Sequence, residues 1–220
     1  LGLGLGAHRI VDRYGNMPAV FTVTAGDGTK YVRVQVSETT TVTPADGTSI
    51  RIGNTGEFVT TPLTLAANTD QNIYFNGAGS FTIPKRKLVT YLYLSSLGSS
   101  IITGNITGMK LTTLFLYAIG SSVITGDITG MKLLTYLVLS NIGSSVITGD
   151  ITGMKLLTYM SLNNIGSSVI GDITGMELTG MYLNNIGSSL TYGTNLLNIT
   201  SQYGIQLLGN TVFSANEYIQ

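Results

Sequence analysis

Four polar residues recur at one matching place in this chain: Asn105, Asp127, Asp150 and Asp172, each directly after a glycine. A column of carboxylates is a candidate Ca²⁺ site, but that ion takes six to eight oxygens within about 2.6 Å. One acid per repeat leaves most of that shell empty, so turn formation is the expected role. Two acids about 5–9.5 Å apart can also hydrolyse glycosides. Stacked Asp127 and Asp150 would approach the lower end of that range. No cleft is implied around them, and both should stay ionised. His8 is the only histidine and there is no cysteine, which removes His-based triads, His or thiolate metal sites and disulfides. The segment Gly126–Lys132 has the wrong glycine spacing for a phosphate loop. Asn105-Ile-Thr107 and Asn198-Ile-Thr200 match the glycosylation acceptor pattern, which carries meaning only in a eukaryotic secretory pathway. The expectation is a non-enzymatic protein with no cofactor and no metal.

The elements that carry these residues repeat. Gly98-Ser-Ser, Gly120-Ser-Ser, Gly143-Ser-Ser, Gly166-Ser-Ser and Gly187-Ser-Ser are separated by 22, 23, 23 and 21 residues, and Ile124–Met131 is identical to Ile147–Met154. A period between about 20 and 29 residues marks a stacked solenoid, in which each unit touches only its neighbours. Such a body offers a long regular surface rather than a deep pocket.

Composition narrows the partners. Formal charge is zero and charged residues are 10% of the 220, against roughly 25% in ordinary soluble domains. Neither nucleic acid nor an anionic membrane is an expected partner without clustered Lys and Arg. A low-charge surface instead favours self-association. No apolar run reaches the ~18 residues of a membrane-spanning helix, so no membrane insertion is expected. The chain starts without methionine, which suggests a processed or truncated sequence, and Leu1-Gly-Leu-Gly-Leu-Gly6 lacks the basic leader of a signal peptide.

Residues 1–17 read as an arm, with Leu1, Leu3 and Leu5 on one face of an extended strand that needs a partner. Residues 18–87 read as a small β-sandwich. Val20–Thr24 leads into the turn Gly26-Asp-Gly28, and Tyr31–Val36 alternates with Val32, Val34 and Val36 inward and Arg33 and Gln35 outward. Ser49–Ile52, Leu63–Leu65, Ile73–Phe75 and Phe81–Ile83 complete the strands. Lys85-Arg86-Lys87 marks a solvated join. From about 191 to 220 the period fails, and this stretch reads as an irregular cap. Ser214-Ala-Asn-Glu217 is a capping-box pattern that predicts a short helix, or a protein that continues past Gln220.

Between 88 and 190, Leu111-Thr-Thr-Leu-Phe-Leu116, Leu134-Thr-Tyr-Leu-Val-Leu139, Leu157-Thr-Tyr-Met-Ser-Leu162 and Leu178-Thr-Gly-Met-Tyr-Leu183 fit LxxLxL, as Val89–Leu94 does with Val for Leu. This resembles the leucine-rich repeat family, with Ile124-Thr-Gly-Asp-Ile128 similar to the second segment of its plant-type subclass. The fold class so implied is mainly β, a sandwich followed by a leucine-rich-repeat-like solenoid of about five coils. The slot that holds Asn or Cys in that family holds Leu97, Ile119, Ile142, Ile165 and Ile186 here. The turn backbones must therefore find other partners, and the Ile-rich segment is expected to form its own strand on another side of the coil.

By the same resemblance, Tyr91, Tyr93, Phe115, Tyr117, Tyr136, Val138, Tyr159 and Tyr182 point out of a concave sheet, with Ser140, Ser161, Asn163 and Asn184 alongside. Strands about 4.8 Å apart would make the rings a ladder of adjacent aromatics, suited to sugar or protein recognition. Lys110, Lys132, Lys155 and Glu177 should face solvent. The β-domain followed by cysteine-free Thr/Ser/Gly-rich coils is similar in style to bacterial surface proteins and to phage fibre or decoration proteins. Low charge, the Leu-Gly arm and the near-identical coils favour a structural or display protein of a phage-like virion, self-associating or bound to other virion proteins. The alternative is a bacterial surface adhesin whose aromatic face binds host glycan or protein. Either places the chain extracellularly, on a virion or cell surface.

Overall fold

The computed structural model describes residues 13–24, 31–165, 169–173 and 175–186, with the backbone alone at Ile170 and in three short strands nearer the C-terminus. The arm residues Leu1, Leu3 and Leu5 and the turn Gly26-Asp-Gly28 lie outside the described residues.

Seven antiparallel strands come first: β1 (Ala19–Thr24), β2 (Tyr31–Val36), β3 (Thr40–Pro44), β4 (Ile50–Ile52), β5 (Leu63–Leu65), β6 (Gln71–Phe75) and β7 (Gly79–Ile83). Their apolar residues alternate, and a period of two places one side chain in the core and the next outside. In β2, Val32, Val34 and Val36 are buried while Arg33 and Gln35 face out. Strand β3 is new relative to the sequence reading. Its inward positions are Val42 and Pro44.

The repeats then alternate between two sides of a coil. One side carries β8 (Val89–Ser95), and the other β9 (Ile101–Asn105). The pattern continues through β10 (Thr113–Tyr117), β11 (Val123–Asp127), β12 (Tyr136–Ser140), β13 (Val146–Asp150), β14 (Tyr159–Asn163), β15 (Val169–Asp172) and β16 (Gly180–Asn184). The backbone strands β17 (Leu190–Tyr192), β18 (Ile205–Leu208) and β19 (Ser214–Ala215) extend it. The result is mainly β with a β-solenoid of about four turns, where about five coils were expected. The expected second strand in each coil is present. Ser214–Ala215 is an extended strand paired with β17, not the start of a helix; its backbone bonds run to the neighbouring strand.

All strands fall into two sheets. The nine-stranded order is β18-β16-β14-β12-β10-β8-β2-β6-β4, and the ten-stranded order is β19-β17-β15-β13-β11-β9-β1-β7-β3-β5. Each sheet is parallel in the coils and antiparallel beyond them. The joins are β2 against β8 and β1 against β9. The N-terminal strands therefore cover the edges that the first coil would otherwise leave open, and exposed edges are sites of unwanted pairing.

Between the sheets lie aligned apolar columns. Leu94, Leu116, Leu139, Leu162 and Leu183 pair in register and are buried, as are Ile106, Ile128, Ile151 and Ile173 from the other side. Each such burial is worth roughly 1.5–3 kcal/mol, so near-identical coils contribute near-identical increments.

Polar columns tie one coil to the next. The Ser145 hydroxyl accepts a hydrogen bond from the Ile124 N–H (2.9 Å) and donates to the Ser122 carbonyl (2.9 Å). Ser122 does the same for the Ile102 N–H (2.9 Å) and the Ser100 carbonyl (3.4 Å). Each buried serine thus satisfies the backbone at the start of the preceding coil's strand, Ser122 for β9 and Ser145 for β11. Thr112, Thr135, Thr158 and Thr179 each donate to the threonine carbonyl one coil earlier, at 2.9–3.0 Å.

After each strand of the nine-stranded sheet from β8 to β16 comes a left-handed residue: Ser96, Ala118, Asn141, Asn164 and Asn185, all with φ between 49° and 53°. Asn164 donates to Asn141 Oδ1, and Asn185 to Asn164 Oδ1, both at 2.7 Å. Ala118 holds the same strained conformation without an amide. Asparagine tolerates that region better than alanine, and at 118 it would give Asn141 an acceptor. Ala118→Asn is expected to stabilise the protein by about 0.5–1 kcal/mol, read as a rise in thermal midpoint of roughly 2–4 °C per kcal/mol.

Candidate binding face

The seven aromatic residues singled out from the sequence all occupy outward positions of the nine-stranded sheet. They alternate along β8, β10, β12, β14 and β16 with buried Leu and Met. Pairing in register sorts the positions on this face into three columns, in which Val138 and Ser140, expected to point outward, are instead buried at 5% and 4% exposure. The first runs Tyr91, Thr113, Tyr136, Tyr159, Gly180; the second Tyr93, Phe115, Val138, Ser161, Tyr182; the third Ser95, Tyr117, Ser140, Asn163, Asn184.

The expected unbroken ladder of rings is therefore interrupted. Tyr93 and Phe115 stack at 4.4 Å and 11°, and Tyr136 and Tyr159 at 4.6 Å and 9°. Thr113 separates Tyr91 from Tyr136, and Ser161 separates Val138 from Tyr182. Each stacked pair hides one face of each ring. Burial raises the Tyr91 and Tyr136 hydroxyls above their ordinary pKa, so both phenols are neutral at physiological pH and supply no base.

The face continues beyond the repeats, which the sequence reading missed. Arg33 on β2 lies over Tyr91 (5.6 Å) and Tyr93 (5.7 Å) and forms an ion pair with Asp70, which also accepts from Gln35. Tyr31 meets Tyr74 at 5.1 Å, and Arg51 lies between Phe58 (4.7 Å) and Tyr74 (5.1 Å). The available signal was the outward phase of Arg33 in β2; its neighbours on β8 depend on which strands pair across the join.

The carboxylate column does not exist as expected. In the ten-stranded sheet successive coils pair two residues out of step: Asp127 faces Thr148 rather than Asp150, and Thr125 faces Asn105. Each acid is turned into its own loop instead. Asp127 Oδ1 accepts from the Thr129 N–H at 2.7 Å and Asp150 Oδ1 from the Thr152 N–H at 2.8 Å. Asp127 Oδ1 also lies 2.7 Å from where a Cβ on Gly149 would stand, so the glycine of one coil makes room for the acid of the previous one. These acids are turn formers, and among the described residues no group of three or more His, Cys, Asp or Glu could hold a metal ion. Lys110, Lys132, Lys155 and Glu177 are exposed, as expected.

The basic trio is more than a solvated join. Arg86 donates to the Pro18 carbonyl (3.0 Å), the Thr107 carbonyl (3.2 Å) and Asn105 Oδ1 (3.3 Å), and burial lowers its pKa. It clamps the start of β1 to the first turn of the coils. Gly15 packs beside it, against the Lys87 side chain and the Gly108 carbonyl.

No helix among the described residues is long and apolar enough to cross a membrane. Comparison with protein-family models, with curated proteins and with solved structures finds no match for this chain.

Proposed function

We propose that this chain is a non-enzymatic structural protein that presents a stiff solenoid outward from a phage-like virion, as fibre, tail or capsid decoration. It is read as a small N-terminal β-sandwich capping coils of the leucine-rich-repeat type. One observation carries this reading. The recurring Ser, Thr, Asp and Asn side chains bond mainly to the adjacent coil or to their own turn. A body organised that way is selected for length and rigidity. The virion setting rests on the low charge and the Leu-Gly arm, which could add a strand to a neighbouring subunit. Light scattering on the full chain and on a chain lacking residues 1–10 tests it. A defined oligomer or filament that falls to monomer on truncation is expected; a monomer in both cases would remove the assembly role.

A second reading, a surface adhesin, is favoured by the two stacked ring pairs on one face. It predicts that Tyr136→Ala with Tyr159→Ala abolishes binding to target cells while the fold survives. Unchanged cell binding would eliminate that mechanism.

A further inference from the structure

Tyr117 stands apart from the other rings of the nine-stranded sheet. It is 44% exposed, and its neighbours in register are Ser95 and Ser140. Serine side chains are too small to cover an aromatic face, whereas the two stacked pairs cover each other. Its ring contact among the described residues is Phe115, tilted 36° at 6.2 Å.

From Tyr117 the column continues as hydrogen-bonding groups. Asn163 donates to Ser140 Oγ (3.1 Å), and Asn184 donates to Asn163 Oδ1 (2.9 Å). A side-chain amide has two N–H groups and two lone pairs, so the ladder occupies only part of the capacity of Asn163. No member of the column is charged, and Arg33, two strands from Tyr117, is already paired with Asp70.

We propose that Tyr117 with Asn163 and Asn184, on either side of the buried Ser140 that anchors Asn163, forms a site for an uncharged linear glycan lying across the strands. The complementarity is one of charge and of bonding type. A sugar ring pairs an apolar C–H face with a rim of hydroxyls, which matches an open tyrosine followed by amides. Strands about 4.8 Å apart advance by about the length of one sugar unit, so a chain stacked on Tyr117 passes over the buried Ser140 rung and reaches Asn163 and Asn184. Anionic polymers need cations that this column lacks, and a protein partner needs the apolar anchor pockets that a flat amide strip does not offer. The site rests on the reading of the coils as an outward-presented body.

Isothermal titration of the full chain with cellohexaose, chitohexaose, β-1,4-mannohexaose and maltohexaose tests it. Saturable binding to at least one is expected, about tenfold or more weaker in Tyr117→Ala, retained in Tyr117→Phe and unchanged in Tyr136→Ala. Circular dichroism confirms that each variant folds. Binding to none of the four, or binding that Tyr117→Ala leaves intact, overturns the site. Loss in Tyr136→Ala alone also overturns it and moves recognition to the stacked pairs. The oligomer measured with and without residues 1–10 is independent of all these results, so failure of the glycan site and failure of the assembly role are separable.

Discussion

Gly143→Ala is expected to destabilise the protein by on the order of 4 kcal/mol, among the largest effects a single methyl can have. Two causes add. Gly143 has φ +59°, where alanine costs roughly 1–2 kcal/mol. The added Cβ would also stand 1.9 Å from the Gly120 carbonyl oxygen, which belongs to the preceding coil's backbone and has no rotamer to escape into. Gly153 supplies the control. It has φ +77° with nothing within 4 Å of the Cβ position, so Gly153→Ala should cost only the conformational part. A fall in thermal midpoint of roughly 8–16 °C for Gly143→Ala, against a few degrees for Gly153→Ala, is the expected pair of results. Equal shifts would mean that the coils are not packed turn on turn as described.

Ser145→Ala is expected to cost about 1–3 kcal/mol, and Ser122→Ala together with Ser145→Ala about twice that. The hydroxyl of Ser145 is the partner of the buried Ile124 N–H, and alanine offers no acceptor in its place. Ser144, next in the chain, is exposed, so Ser144→Ala should be neutral. Chemical denaturation of the three variants checks the difference. If Ser145→Ala is as stable as Ser144→Ala, the serine column contributes nothing and the backbone at the start of β11 is satisfied in another way.

Much of this architecture was legible because burial imposes a period. The alternation of Val32, Val34 and Val36 revealed β2, and the spacing of Leu111, Leu114 and Leu116 revealed the coils. What was not legible depended on neighbours distant in sequence. Strand β3 escaped because its inward residues are one valine and one proline among threonines. Both serines of each Gly-Ser-Ser look alike in sequence; turn geometry alone decides that Ser122 and Ser145 are buried while Ser121 and Ser144 are exposed. The repeat period aligned Asp127 with Asp150, yet strand register is not the repeat period, and the two-residue stagger separated them. On the candidate face the outward phase of all seven aromatics was readable, but stacking was not. Whether two rings meet depends on the residue each coil places between them, as Thr113 does between Tyr91 and Tyr136. Arg86 read as a solvated charge because its partners are carbonyls at Pro18 and Thr107, which no local pattern indicates.

The N-terminal strands and the first coil are expected to unfold as one cooperative body, joined through the ladders β2–β8 and β1–β9 with Arg86 as clamp. Native-state hydrogen exchange in increasing urea tests it most directly. The amides of β1 and β2 should open with the same free energy and the same urea dependence as those of β8 and β9, whatever happens to coils farther along. Protection that persists in β1 and β2 after β8 and β9 have exchanged would show two independent units and contradict the account.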